Sequence, residues 1–372
     1  MKILHIAETI RGGPATVLSE IIPRQVLEFG EENVGVIIPR QQVQDLENIS
    51  KICIHGFERR SRILGIPFLI AKAISVIRRF EPDIIHIHST VAGLLIRPLL
   101  VLTQSEARIV YCAHGWSFDM DMSPILQSTL ERIEWVLSLR TDKVIAISEY
   151  EYGAGLRIGI NSSKLELIRN GICSSPPPVA KASWDDPRLH VLFIGRLDKQ
   201  KGVDILLDAV AELGARVAVR IVGDSVVNST KKLKIPDHVK MMGWLCPTGV
   251  SGQLAACDLV VMPSRWEGFG LVAIEAMRAG KPVVATRVGG LASIVVDGVT
   301  GSLVTKESVA QLSEAIISRS ASEWPELGLA GRKRFLQLYT SDRMHRILAD
   351  VYYSLRVTSE PVLASGKSTS QV

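Results

Sequence analysis

Short apolar runs alternating with amphipathic segments, in two separate series, constrain this chain more than any other feature. In the first series the runs at 3–7, 34–38, 84–87, 108–113, 144–147 and 165–168 read as strands, with helical stretches between them such as 149–158. A second series begins at 189–194 and continues to about residue 304. Alternation of this kind builds a parallel sheet with helices on both faces. The stretch 174–188, SSPPPVAKASWDDPR, is rich in Pro and Ser and lacks periodicity, so it marks a domain boundary and linker. The expected architecture is α/β, two doubly wound units facing one cleft, with ligands beyond the carboxyl ends of the strands. The expected limits are 1–173 for the first unit and 189–335 for the second, with a polar, Ser-rich tail at 357–372 read as disordered.

At 372 residues, 47% hydrophobic and 22% charged, the chain has room for two separate cores. Cys53, Cys112, Cys173, Cys246 and Cys257 show no C-x-x-C spacing and read as small buried residues in a reducing compartment. No run approaches the roughly 17–25 apolar residues of a spanning helix. The first apolar run is too short for a signal peptide. A cytoplasmic location, or a peripheral one on the inner face of the plasma membrane, is expected. The net charge of +5 is mild and argues against a nucleic-acid partner. Basic residues cluster once, at 57–80, where Arg59, Arg60, Arg62, Lys72, Arg78 and Arg79 surround the apolar run ILGIPFLIAKAISVI. The plainer reading is a helix packed on the core with solvated arginines. The functional reading is a docking face for anionic lipid.

The segment 262–284, MPSRWEGFGLVAIEAMRAGKPVV, reads as strand, Gly-containing loop, helix at 271–279 and a further strand. Glu267 sits in the loop and Glu275 within the apolar helix. A carboxylate there needs a partner, either Arg278 one turn on or a ligand. The helix N-terminus at Gly270 and Leu271 offers free amides to a phosphate. In the loop GRLDKQKG at 195–202, Arg196 offers a fork of donors and Lys201 a compact ammonium, a pair suited to a diphosphate. Residues 11–14, RGGP, open a helix after the first strand, and the absence of G-x-G-x-x-G argues against a dinucleotide cofactor. His86 and His88 share one face of a strand, without a third ligand at metal-site spacing. His114 ends another strand in HGWSF, and Ser148 is placed to cap a helix.

Glu267-GFGLVAI-Glu275 followed by A-x-G-x-PVVAT, the G-R-L-x-x-x-K-G loop and the strand-end His114-Gly115 resemble the nucleotide-sugar site of retaining, two-Rossmann-domain (GT-B) glycosyltransferases, particularly glycosyltransferase family 4. HGWSF is similar to segments of bacterial surface-polysaccharide glycosyltransferases. The resemblance covers most of 1–355 and makes the first unit the acceptor side. It implies transfer of a sugar, with retention and without metal, from a nucleoside diphosphate donor to a hydroxyl of a glycan acceptor. Uracil is the commonest base, the acceptor is expected to be polyprenyl-linked, and the setting is exopolysaccharide, capsule or lipopolysaccharide synthesis. No cofactor is implied, because the nucleotide sugar is a substrate. Catalytic roles fall on His114, Glu267, Arg196 and Lys201. Donor contacts fall on Gly12 and Gly13 over the diphosphate, and on loops carrying Gly223 and Trp244 around the base. They also include Glu267, Gly268, Phe269, Gly270 and Leu271, with Glu275 on the ribose.

Trp116 and Phe118 are candidates for stacking on an acceptor sugar. Asp119-Met120-Asp121 spells the metal motif of a different glycosyltransferase fold but follows a loop, so it reads as a decoy, with a metal-dependent reading as the alternative. Ser293 stands where the family usually has Glu. The resemblance also implies that a helix at 336–356 crosses back to the first unit. Two other readings share these residues: a sugar-nucleotide epimerase of the same fold, and a non-catalytic sugar-nucleotide-binding protein.

Overall fold

The computed structural model describes residues 1–59, 61, 63–175, 179–224, 234–319 and 322–357. The first sheet contains β1 (Ile3–Ala7), β2 (Val34–Pro39), β3 (Ile54–Phe57), β4 (Ile84–His88), β5 (Arg108–Cys112), β6 (Lys143–Ala146) and β7 (Leu165–Leu167), in the order β3-β2-β1-β4-β5-β6-β7. The second contains β8 (Leu189–Ile194), β9 (Val217–Val222), β10 (Val239–Gly243), β11 (Leu259–Met262), β12 (Val283–Thr286) and β13 (Gly301–Val304), in the order β10-β9-β8-β11-β12-β13. Neighbouring strands in both sheets are parallel. The chain leaves β1 toward one edge and returns on its other side at β4, and it repeats this at β8 and β11. Each sheet therefore has a switch point where the strand order reverses, the place where such folds bind ligands.

The central strands β1, β2, β4, β11 and β12 are buried at every position, which explains why they are apolar apart from His5, His86, His88 and Thr286. The edge strand β3, sequence IHGF, is only partly buried and carries no comparable signal. It is the strand of the first sheet that the sequence pattern misses.

Helix Ile66–Phe80 buries Leu69, Ala73 and Val76 against Leu4 and Ile85, in line with the plainer reading of the basic segment. Arg59 pairs with Glu8 at 2.8 Å, and Arg60 and Arg62 lie outside the described residues. Near the C-terminus two helices, Trp324–Leu338 and Ser341–Val357, are separated by a break at Tyr339 and Thr340. The Ser341 amide donates to the Ile172 carbonyl there at 3.0 Å. The last helix lies along helix Gly13–Phe29, held by Arg24–Asp342 at 2.8 Å and His345–Glu28 at 2.7 Å. Residues 358–372 and linker positions 176–178 are outside the described set.

All five cysteines are free, but burial is uneven: Cys53, Cys112 and Cys257 are buried, Cys173 is half-buried and Cys246 is exposed. The expectation of uniformly buried thiols is corrected on that point. Among the described residues no helix is long and apolar enough to cross a membrane.

Candidate active site

The carboxyl ends of the two sheets face one another across a cleft of about 2060 Å³. On the second sheet the turn after β8 and the turn after β11 form one wall. Lys201 Nζ meets Glu267 Oε2 at 2.5 Å, and both side chains are largely sheltered. Arg196 is more exposed and rests on Gln200 Oε1 at 2.6 Å and Asp198 at 3.2 Å, leaving part of its guanidinium fork toward the cleft.

Glu275 also opens on the cleft, from helix Leu271–Arg278. The internal pair with Arg278 does not form. Arg278 Nη1 donates instead to the Cys173 carbonyl at 3.0 Å, and the Glu275 carboxylate has no hydrogen bond or ion pair among the described residues. Desolvation raises the Glu275 pKa, opposed by the positive charges of Arg278 and Lys201. A desolvated carboxylate aimed into a cleft and left unpaired is costly unless a ligand supplies the donors.

Backbone fits backbone where the walls meet. Gly268 and Gly115 approach so closely that a Cβ on Gly268 would lie 2.9 Å from the Gly115 Cα. Ser148 Oγ donates to the Gly268 carbonyl at 3.1 Å, tying the units together beside Glu267, and it also caps helix Glu149–Arg157. Gly270 has φ +106, left-handed backbone that suits glycine, and begins the helix whose free amides face the cleft. Across the gap, Gly12 and Gly13 begin helix Gly13–Phe29, and a Cβ on Gly13 would lie 3.3 Å from the Leu271 side chain. Two helix N-termini therefore flank the same space, which favours an anion there.

His114 lines the first unit's wall with φ +55, an uncommon conformation for a non-glycine residue. Desolvation lowers its pKa to about 4, so it is neutral near pH 7.

Gly12, Gly13, His114, Arg196, Lys201, Trp244, Glu267, Gly268, Phe269, Gly270, Leu271 and Glu275 all reach the cleft, with the exposed ring of Trp244 among them. Phe269 does so with its backbone side, since its ring is buried against Tyr339. Gly223 does not line the cleft. It is buried, and a Cβ there would lie 1.9 Å from the Gly195 carbonyl, so its place is in packing two strand ends together. Trp116 borders the cleft, but its ring and that of Phe118 are buried and offer no sugar platform. They stack on each other at 5.3 Å in the core, and Trp116 Nε1 donates to the Glu151 carbonyl at 3.0 Å.

Asp119 accepts from the Tyr150 hydroxyl at 2.9 Å, while Asp121 reaches across the cleft to Lys199 at 2.6 Å. The two carboxylates are thus engaged with different partners. Ser293 lies off the cleft and donates to the Gly290 carbonyl at 2.9 Å.

Four residues contribute without a motif signal of their own. Arg265 binds Asp204 through two nitrogens at 2.9 and 2.8 Å, Glu307 at 2.8 Å and the Lys199 carbonyl at 2.9 Å. It thereby clamps the 195–202 loop to the 263–270 loop. Glu151 is buried beside Gly115 and Gly268, where desolvation raises its pKa to about 8. His5 and Gln25 lie beneath His114 in the core. Arg265 was present in the sequence beside Glu267, but its partners come from distant segments.

Known proteins match both units. The family model described as Glycosyltransferase Family 4 matches residues 31–175, and that described as Glycosyl transferases group 1 matches 179–327. An uncharacterized 41.2 kDa protein in the cps region of Klebsiella pneumoniae is 31% identical over 366 residues, spanning 95% of this chain and 100% of that protein. This chain belongs to the family 4 glycosyltransferases. The glycosyltransferase is also 28% identical to a glycogen synthase of Mycobacterium tuberculosis over 295 residues, 73% of this chain and 67% of that one. Its fold superposes on that of Anabaena HepE, solved in complex with UDP-glucose, with a TM-score of 0.78 at 24% identity, covering 95% of this chain and 100% of that one. A lipopolysaccharide outer core galactosyltransferase, WaaB, solved in its apo form, superposes with a TM-score of 0.71 at 19% identity, covering 95% of this chain and 100% of that one. The glycosyltransferase is thus a GT-B protein with two Rossmann-like units.

Proposed function

We propose that this glycosyltransferase moves a sugar from a UDP-sugar to a hydroxyl of a lipid-linked glycan, with retention and without a metal ion, in the assembly of a surface polysaccharide. The observation that carries the reading is Glu275, whose carboxylate faces the cleft with no hydrogen bond or ion pair among the described residues, beside the Lys201–Glu267 pair. A ribose diol supplies the two donors that such a carboxylate lacks. The diphosphate then falls between Arg196, Lys201 and the helix N-termini at Gly12 and Gly270, and the sugar lies against Glu267 and His114. The HepE complex with UDP-glucose and the cps-region relative support the donor class and the pathway.

In this reading the bond from the anomeric carbon to the phosphate oxygen breaks as the acceptor oxygen forms its bond on the same face. The acceptor proton passes to the departing phosphate. Arg196, Lys201 and the helix amides stabilise the charge that develops on the diphosphate, the largest electrostatic demand of the step. Glu267, held by Lys201, orients the sugar, and Arg265 keeps the two loops in register. The chain works at the inner face of the plasma membrane, with exposed Ile63, Leu64 and Phe68 and the solvent-facing Arg78 and Arg79 supporting contact with anionic lipid.

The test is release of nucleoside diphosphate from a panel of nucleotide sugars, with and without lipid-linked acceptor and with EDTA, followed by NMR of the product's anomeric configuration. Acceptor-stimulated UDP release that survives EDTA and yields a retained linkage is expected. Donor isomerisation without release means an epimerase instead, and loss of activity in EDTA means a metal-dependent transferase.

A further inference from the structure

Beneath His114 the core holds a row of polar side chains that no part of the transfer reaction uses. His5 lies on β1 and His88 on β4, while Gln25 comes from helix Gly13–Phe29 above them, and each is at most 1% exposed. Gln25 Oε1 is 2.7 Å from His5 Nε2, His5 Nδ1 is 2.9 Å from His88 Nε2, and His88 Nδ1 is 2.8 Å from His114 Nε2. His86 stands beside the row, with its Nδ1 hydrogen-bonded to the Tyr352 hydroxyl at 2.6 Å. None of these rings has a carboxylate partner among the described residues.

Proton counting gives the row a direction. Imidazoles buried without an anion are neutral, because a charge there would be desolvated and uncompensated, and burial lowers the pKa of each ring. A neutral imidazole carries one N–H and one bare nitrogen. With the Gln25 amide oxygen toward His5, and its Nε2 left without a hydrogen-bond partner among the described residues, the His5 proton sits on Nε2 and His5 Nδ1 is bare. His88 must then donate from Nε2, and its own Nδ1 accepts from His114 Nε2–H. His114 is left with a bare Nδ1, which makes no hydrogen bond among the described residues and is not sealed from the cleft.

We propose that Gln25, His5 and His88 are positioning residues that hold His114 as the neutral Nε2–H tautomer, so that its Nδ1 lone pair accepts a hydrogen bond from a hydroxyl of the bound sugar. The role of the lone pair rests on reading the cleft as the sugar site, whereas the tautomer itself does not. Such a wall favours a hydroxyl and disfavours a carboxylate at that place, since it offers an acceptor and cannot gain a compensating charge. His5, His86 and His88 are close enough together to hold a metal ion, but five of their six ring nitrogens are already hydrogen-bonded. A metal would have to dismantle the row.

The decisive measurement is long-range 1H–15N correlation spectroscopy of the 15N-labelled full chain between pH 6 and 8, with His114→Gln assigning the His114 signals. Neutral Nε2–H patterns for His5, His88 and His114 are expected. An Nδ1–H pattern or an imidazolium at His114 overturns the proposal, and so does stoichiometric zinc uptake that removes these N–H patterns. In Gln25→Leu the His114 signals should shift to a mixture of tautomers while the backbone amide spectrum stays native; an unchanged tautomer there overturns it equally. For function, His88→Gln, which can still accept and donate, should keep donor kcat/KM within about threefold, and His88→Leu should lower it about tenfold, the worth of one hydrogen bond. If the tautomer is found but the two variants turn over alike, the sugar-site reading fails and the proton order stands.

Discussion

At its switch point the second sheet turns Arg196, Lys201 and Glu267 to the cleft, whereas the first, at the end of β5 one strand from its own switch point, turns the neutral imidazole of His114, backed by a row of buried side chains. The same parallel-sheet plan thus produces one ionic wall and one neutral wall. The contrast extends to their buried acids. Glu275 has its desolvation opposed by Arg278 and Lys201, while Glu151 is desolvated with the negative Asp119 as its charged neighbour and only backbone amides in its favour. A site built this way separates two tasks: gripping an anion, which needs fixed opposite charge, and orienting an uncharged sugar, which needs directional hydrogen bonds.

If the ionic wall carries the chemistry, Arg196→Ala or Lys201→Ala should lower kcat/KM by about 100- to 1000-fold, as measured by nucleoside diphosphate release. Near-normal turnover in either variant would remove the distinction between the walls. Glu275→Gln keeps the shape and removes the charge, so donor KM should rise about 10- to 100-fold with the thermal midpoint little changed. An unchanged KM would place the ribose elsewhere.

On the neutral wall the effect is one of pH. Burial pushes the Glu151 pKa in the folded state up to about 8 from an ordinary 4.5, so the folded state binds the extra proton and stability falls as pH rises from about 4.5 to 8. Glu151→Gln removes that ionisation. Its thermal midpoint relative to the native chain should therefore become more favourable from pH 5 to pH 8, and a constant difference would mean that Glu151 is ionised in the fold. The smallest effect belongs to the pair that joins the walls. Lys199 and Asp121 are about two-thirds exposed, so Lys199→Ala should alter turnover by no more than about twofold. A larger loss would show the two walls acting as one unit.

The ionic wall was readable in the linear chain because its groups are close in sequence. Arg196 and Lys201 share one loop, and Glu267 and Glu275 share one loop and helix. The neutral wall was readable only at its tip. His114 stands out at a strand end, and His86 and His88 were seen to share a face, but their neighbours His5 and Gln25 are brought to them by strand pairing and by a helix laid over the sheet. Trp116 and Phe118 show the opposite failure, since aromatic residues after a strand end can face solvent or core with the same local pattern.

By itself the sequence determined the two alternating series, most strands and the charged loops, because period, turn residues and loop motifs are local properties of a chain. Only the tertiary structure decided which carboxylate would be left without a partner, which histidine would be held by others, and where Gly115 and Gly268 would meet. Those outcomes depend on register and on the docking of one unit against the other. Hydrogen bonds form over about 3 Å, a precision that patterns of polarity do not contain.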